Sequence, residues 1–234
     1  MHDISLDGSY NARGIGHRRR PWLVRSAGLD ALTSGGERSL RDVGVDLVID
    51  LREESEQAGR THTIPVRSVP LYGAAPPSSG TLESVYAGLV RDRGSRLTAA
   101  VIAIAEHPGT AVVHCTAGKD RTGLVVALAR LAAGDARAEV VADYAVSGET
   151  VRPQREAIAA AQLSGVTLSA AARAASERLH LDSPAEALES ALDIVDELGG
   201  VAQYLRTHGA TSGHVAALAD RADAHAAIAS GSVA

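Results

Sequence analysis

The chain has 234 residues, 45% of them hydrophobic and 22% charged, with a formal net charge of −5. That length and apolar content suit a sizeable core and exclude a disordered tail or a mini-protein, while the negative balance argues against general affinity for nucleic acid or an anionic membrane surface. A single cysteine, Cys115, excludes an intramolecular disulfide framework and any multi-cysteine zinc site.

In chain order, the opening Met1-His2-Asp3-Ile4-Ser5-Leu6-Asp7 has no cationic segment and no apolar run of the signal-peptide kind. His17-Arg18-Arg19-Arg20 reads as a solvated basic corner. Trp22-Leu23-Val24, Val45-Asp46-Leu47-Val48-Ile49 and Ala111-Val112-Val113 read as short buried strands. Residues 64–71 form a fourth, and Pro65 and Pro70 suit it to an edge. Helical periods lie between them, at 37–43, 82–90 and 96–106. In the last of these, Leu97, Ala100, Val101 and Ile104 share a face.

From Thr122 onward the pattern is helical almost throughout, with breaks expected at Gly134, Gly148, Pro153, Gly165, Pro184, Gly199-Gly200 and Gly209. Ser183-Pro184-Ala185-Glu186 reads as a helix start with a capping box. The expected architecture is α/β: a small, mainly parallel central sheet flanked by helices, with an extended helical C-terminal half. No linker divides the two parts (about 10–134 and about 135–230), so residues 1–234 are expected to form one domain. The longest apolar runs, 99–105 and 124–129, fall far short of the roughly 18 residues that span a bilayer. The expectation is a cytoplasmic protein without stable membrane insertion, with export lacking a cleaved signal left open.

The chemistry concentrates in His114-Cys115-Thr116-Ala117-Gly118-Lys119-Asp120-Arg121-Thr122-Gly123, between a buried strand and a helix. A strand–loop–helix of this kind aims backbone N–H groups and the positive helix end at one point, which makes an anion site. With five residues between Cys115 and Arg121, the loop can wrap a tetrahedral phosphate, with Thr116, Ala117, Gly118, Lys119 and Asp120 contributing to the cradle. Sulfur sits below the anion and a planar guanidinium fork beside it. Thiols are only a few per cent ionised at pH 7, and a helix N-terminus beside cations favours the nucleophilic thiolate. Gly118 allows close backbone approach, Thr122 can donate toward the sulfur, and His114 reads as a buried residue that orders the loop.

Competing motifs fail. A Walker A loop would need glycine at 113 and Ser or Thr at 120, where Val113 and Asp120 stand. Gly14-Ile15-Gly16 meets Arg19 where its third glycine should be. Asp220, Asp223 and His225 read as a solvated helix face, and no metal site is expected.

The loop resembles the active-site loop of cysteine-dependent protein tyrosine phosphatases. Its Gly-Lys-Asp-Arg-Thr-Gly ending is similar to a bacterial branch with dual-specificity and phosphoinositide activity. Trp22-Leu23-Val24-Arg25-Ser26-Ala27, Val48-Ile49-Asp50-Leu51-Arg52, Asp143-Tyr144 and residues 199–205 resemble further segments of that branch. Tyr10-Asn11-Ala12-Arg13 departs from it by lacking the acid of the usual Asn-Phe-Arg-Asp.

The resemblance implies hydrolysis of phosphomonoesters through a phosphocysteine on Cys115, without cofactor or metal. The expected partners are a phosphorylated protein or a phosphoinositide, with a phosphate ion in the loop and no nucleic acid. The proton donor is Asp120, with Asp50, Asp92 and Glu53 as alternatives; Asp50 could instead pair structurally with Arg52. Lys119 could contact a second phosphate or pair with a surface carboxylate. Tyr86 could stack on a phosphotyrosine ring or pack in the core. Two other readings stay open, a non-catalytic phosphate-binding module and a rhodanese-like sulfurtransferase; the Arg121 position favours phosphate.

Overall fold

The computed structural model describes residues 1–77, 79–165 and 167–229, without the side chains of 222–229. Asp223 and His225 therefore fall outside the described side chains. The chain runs through β1 (His2–Asp3), β2 (Arg13–His17), β3 (Arg20–Ser26), α1 (Ser34–Asp42), β4 (Val45–Asp50) and a 3-10 turn (Glu54–Glu56). It continues through β5 (Val66–Ser68), α2 (Leu82–Asp92), α3 (Gly94–Glu106), β6 (Thr110–His114) and α4 (Asp120–Ala132). The remainder is helical: α5 (Arg137–Ser164), α6 (Ala170–Leu181), α7 (Ala185–Glu197), α8 (Val201–Thr207) and α9 (Ser212–Ala229).

Among the described residues the strands form one sheet in the order β1-β2-β3-β6-β4-β5. β3, β6, β4 and β5 run parallel, and β5, with Pro65 just before it, is the edge. Two strands the sequence pattern does not reveal, β1 and β2, extend the sheet antiparallel on β3. The basic corner is the hairpin turn between β2 and β3.

The central strands are buried on both faces, as a parallel sheet covered by helices requires. On β6, Ala111 and Val113 face the larger core and Val112 the smaller one behind the sheet, each fully buried. The larger core takes Leu97, Val101 and Ile104 of α3 together with α4, which is buried from Arg121 to Arg130. A helix buried on all sides carries apolar residues all round, which is why 122–132 shows no strong amphipathic stripe.

Two of the expected helix breaks do not occur. α5 runs straight through Gly148 and Pro153. Gly148 leaves room for Ser183, whose Oγ would lie 3.1 Å from an added Cβ. Pro153 is exposed, and the buried residues Val151, Ala159 and Leu163 on the other face outweigh the roughly 3 kcal/mol that an interior proline costs. α7 likewise begins one residue later than its sequence suggests. Pro184 is its N-cap, and Ser183 Oγ donates to the Ala145 carbonyl instead. No helix among the described residues is long and apolar enough to cross a membrane.

Candidate active site

The parallel strands β3, β6 and β4 end level with one another, with Ser26, His114 and Asp50 in register. Ligands of open α/β sheets collect outside this carboxyl edge. Cys115 follows directly, the chain loops through Gly118, and α4 starts at Asp120.

The loop's carbonyls are held away from the cavity. Asn11 Nδ2 donates to the Ala117 and Gly118 oxygens at 3.1 and 3.0 Å, and Arg25 Nη2 to Gly118 O at 2.8 Å. Gly118 has φ +66, and a Cβ there would lie 2.3 Å from the Ser26 carbonyl, so glycine is required.

Behind the loop, Asp143 of α5 anchors two arginines. Its carboxylate meets Arg13 Nε at 2.8 Å and Arg25 Nη1 at 2.9 Å, all nearly inaccessible to solvent. Ser147 Oγ accepts from both guanidiniums. Burial alone would raise the Asp143 carboxyl, but Arg25 and Arg13 more than offset it and hold it below the usual carboxylate range.

In front of the loop lies a cavity of about 640 Å³ whose lining includes Cys115, Thr116, Ala117, Asp120 and Arg121. Residues of α5 and α6, among them Arg155, Leu163 and Leu179, form its far wall. Arg121 reaches Glu56 through both terminal nitrogens, at 2.5 and 2.6 Å, and Thr116 Oγ1 donates to the same carboxylate at 2.7 Å. The Tyr72 ring lies 5.0 Å from the guanidinium carbon. Burial opposes the Arg121 charge, but Glu56 outweighs it and holds the guanidinium above its ordinary value.

Asp120 is clamped on one oxygen. Tyr86 Oη donates to Asp120 Oδ1 at 2.6 Å, and Lys119 Nζ lies 2.9 Å from the same atom. Tyr144 Oη is 2.8 Å from Tyr86 Oη, and Gly123 leaves the space that the Tyr144 ring needs. Tyr86 is fully buried, so the aromatic wall of the cavity is Tyr72.

The other expected site residues lie elsewhere. Lys119 is buried and is not among the residues lining the cavity; Nζ donates to the carbonyls of Leu179 and Asp182 at 2.8 and 2.7 Å. Asp50 is paired with Arg52 at 2.9 Å, and Arg52 also meets Asp30. Glu53 accepts from the amides of Tyr72 and Gly73. Asp92 lines a separate cavity of about 320 Å³. His114 Nδ1 is 3.2 Å from the Cys115 carbonyl, and burial keeps its imidazole below the usual histidine range against the pull of Asp50. Thr122 Oγ1 is buried with no hydrogen-bond partner among the described residues.

Glu56, Tyr72 and Arg155 are not marked by the sequence, and Arg25 is marked there only as part of the strand segment 22–27. The one signal for Glu56 was its place in an acidic run just past a strand end, which is also the mark of an ordinary solvated turn.

The parallel strands of the sheet are covered by helices, and the loop between the central strand β6 and the buried helix α4 opens on the cavity. The profile of the tyrosine phosphatase family matches residues 4–222, and the chain belongs to that family. A tyrosine-protein phosphatase of Nostoc commune is 30% identical over 149 residues, which is 56% of this chain and 50% of that protein. A Cupriavidus necator protein assigned to the tyrosine-protein phosphatases is 29% identical over 233 residues, 88% of this chain and 83% of its own. The triple specificity protein phosphatase PtpB of Mycobacterium tuberculosis is 29% identical over 197 residues, 65% and 71% of the two chains. The match to the Nostoc protein thus spans half of that relative's length.

Asp143→Asn is expected to lower folding stability by about 3 kcal/mol or more, because two buried guanidiniums lose their counter-charge. The folded carboxyl of Asp143 lies below its unfolded value near 3.9. Its contribution is therefore complete above about pH 4 and is lost as pH falls through the folded value. Urea unfolding across pH 3 to 7 should show a steeper acid loss in wild type than in the variant.

Proposed function

We propose that the chain is a metal-independent phosphomonoester hydrolase that acts on phosphotyrosine proteins through a phosphocysteine on Cys115, with phosphoserine/threonine or phosphoinositide activity beside it. The observation that carries this reading is the convergence of Cys115, Arg121 and Asp120 on one cavity whose loop carbonyls are tied outward. Family membership and the similarity to tyrosine-protein phosphatases support it.

In the proposed reaction the substrate phosphate sits in the loop. Glu56 holds the Nη1–Nη2 edge of Arg121, and two phosphate oxygens would take the Nε–Nη2 edge in place of the 3.3 Å contact from Nη2 to Thr116 Oγ1. Cys115 Sγ, at the N-terminal end of α4 and beside Arg121, attacks phosphorus as the thiolate. The S–P bond forms as the bond to the leaving oxygen breaks. Charge on the equatorial oxygens is met by Arg121 and the loop amides.

Asp120 supplies the proton to the leaving oxygen. Both neighbouring donors sit on Oδ1, so Oδ2 is the oxygen that carries it. A water then attacks phosphorus, gives its proton to Asp120, and the S–P bond breaks to release phosphate and the thiolate. Tyr86 acts as a positioning residue through Oδ1, and the Thr122 hydroxyl, unpartnered among the described residues, is available to the departing sulfur.

Cys115→Ser is expected to abolish p-nitrophenyl phosphate hydrolysis, while vanadate still binds the wild type; substantial turnover by the serine variant would sink the mechanism. Asp120→Asn should lower kcat by about 10²-fold or more on alkyl or phenyl phosphates with poor leaving groups. It should cost much less on p-nitrophenyl phosphate. A flat leaving-group dependence in both proteins would remove Asp120 from the role.

A further inference from the structure

The arginines packed around the loop carry carboxylate partners. Arg13 and Arg25 share Asp143, Arg52 has Asp50 and Asp30, Arg121 has Glu56, and Arg130 has Asp135. Arg155 is the exception. It sits half-buried in the C-terminal half of α5, lines the same cavity as Cys115 and Arg121, and forms no ion pair with a carboxylate among the described residues. Its partner is the Tyr10 hydroxyl, which it hydrogen-bonds. Lys119, the other cation of interest, is held by backbone carbonyls and Asp120 and has no donor left for a ligand.

A partly desolvated guanidinium facing a cavity without a counter-charge is a place for an anion that arrives with the ligand. We propose that Arg155 forms a second anion subsite, which selects phosphotyrosine segments bearing an acidic side chain beside the phosphotyrosine. This rests on the phosphatase reading above and adds a substrate class to it. A soluble acidic peptide is favoured over a lipid headgroup in a membrane because the protein carries a net charge of −5, which an anionic bilayer surface repels. Phosphate binds first by Arg121 and the loop; the neighbouring carboxylate then meets Arg155. The subsite acts on affinity, because the carboxylate takes no part in bond making.

The test uses the full chain and phosphotyrosine peptides carrying one glutamate at successive positions beside the phosphotyrosine, each paired with its glutamine counterpart. At one position wild type is expected to favour glutamate by about fivefold in kcat/KM, expressed in KM, the size of one partly screened charge contact. Arg155→Gln should erase that preference, and Arg155→Lys should keep it in the same direction. Equal rates on every pair with normal p-nitrophenyl phosphate turnover would overturn the subsite alone. So would a glutamate preference that survives in Arg155→Gln, or an Arg155→Gln defect confined to a phosphoinositide in anionic vesicles. Wild type inactive on p-nitrophenyl phosphate would instead overturn the phosphatase reading.

Discussion

A loop that binds an anion through its backbone must turn its amides inward, so its carbonyls have to be satisfied on the other side. Asn11 and Arg25 do this for Ala117 and Gly118. Neither tether stands alone. Asn11 Oδ1 accepts from Arg13 at 2.5 Å, and Arg13 and Arg25 are both fixed by Asp143. The shape of the cradle therefore depends on a carboxylate more than twenty residues downstream, on a helix that itself forms part of the cavity wall. Burying two guanidiniums for one carboxylate is costly in solvation; Ser147, Asn11, the Asp143 carbonyl and the Gly118 carbonyl take further N–H groups, and Arg25 Nε is left without a partner among the described residues.

The same logic of opposite sides governs Arg121. A guanidinium that is to receive phosphate must be presented in a fixed plane before the ligand arrives, or its ordering is a cost of binding. Glu56 and the Tyr72 ring fix that plane, and Thr116 of the loop ties Glu56 in place. Glu56 is in turn locked by the turn it belongs to: its carboxylate accepts from the Glu53 amide at 3.0 Å, and its own amide donates to the Glu53 carbonyl at 3.0 Å. Glu53 anchors the segment that carries Tyr72. Two acids that look alike in the run after Arg52 thus have separate tasks, one facing the cavity and one facing the backbone.

The parts of this site that are legible in the sequence are local. His114 to Gly123 is one contiguous strand–loop–helix, and its residue types and spacing carry their own chemistry. The α/β order and the buried strands are legible for the same reason, since their periodicity is local. What is not legible depends on long-range partners. Nothing near Asp143 in the sequence announces Arg13 and Arg25, whereas the Asp50–Arg52 pair, only two residues apart, is one of the two readings that the sequence leaves open for Asp50. Gly148 and Pro153 look like helix stops because propensity is read locally, whereas α5 is held together by the face it buries.

Lys119 shows how an odd composition can acquire a physical meaning. The other 22 basic residues are arginine, so a general drift toward arginine would have placed one here as well. The ammonium has three donors and meets three acceptors, the Leu179 and Asp182 carbonyls and Asp120 Oδ1. Two of those carbonyls lie at the C-terminal end of α6, where the helix dipole favours a cation. A planar guanidinium presents its donors in one rigid fork and cannot serve three acceptors gathered around a point. Lysine at this position joins the cavity's outer wall to the carboxylate proposed to handle the proton. It does so from within the loop, without placing a second charge where the substrate phosphate would sit.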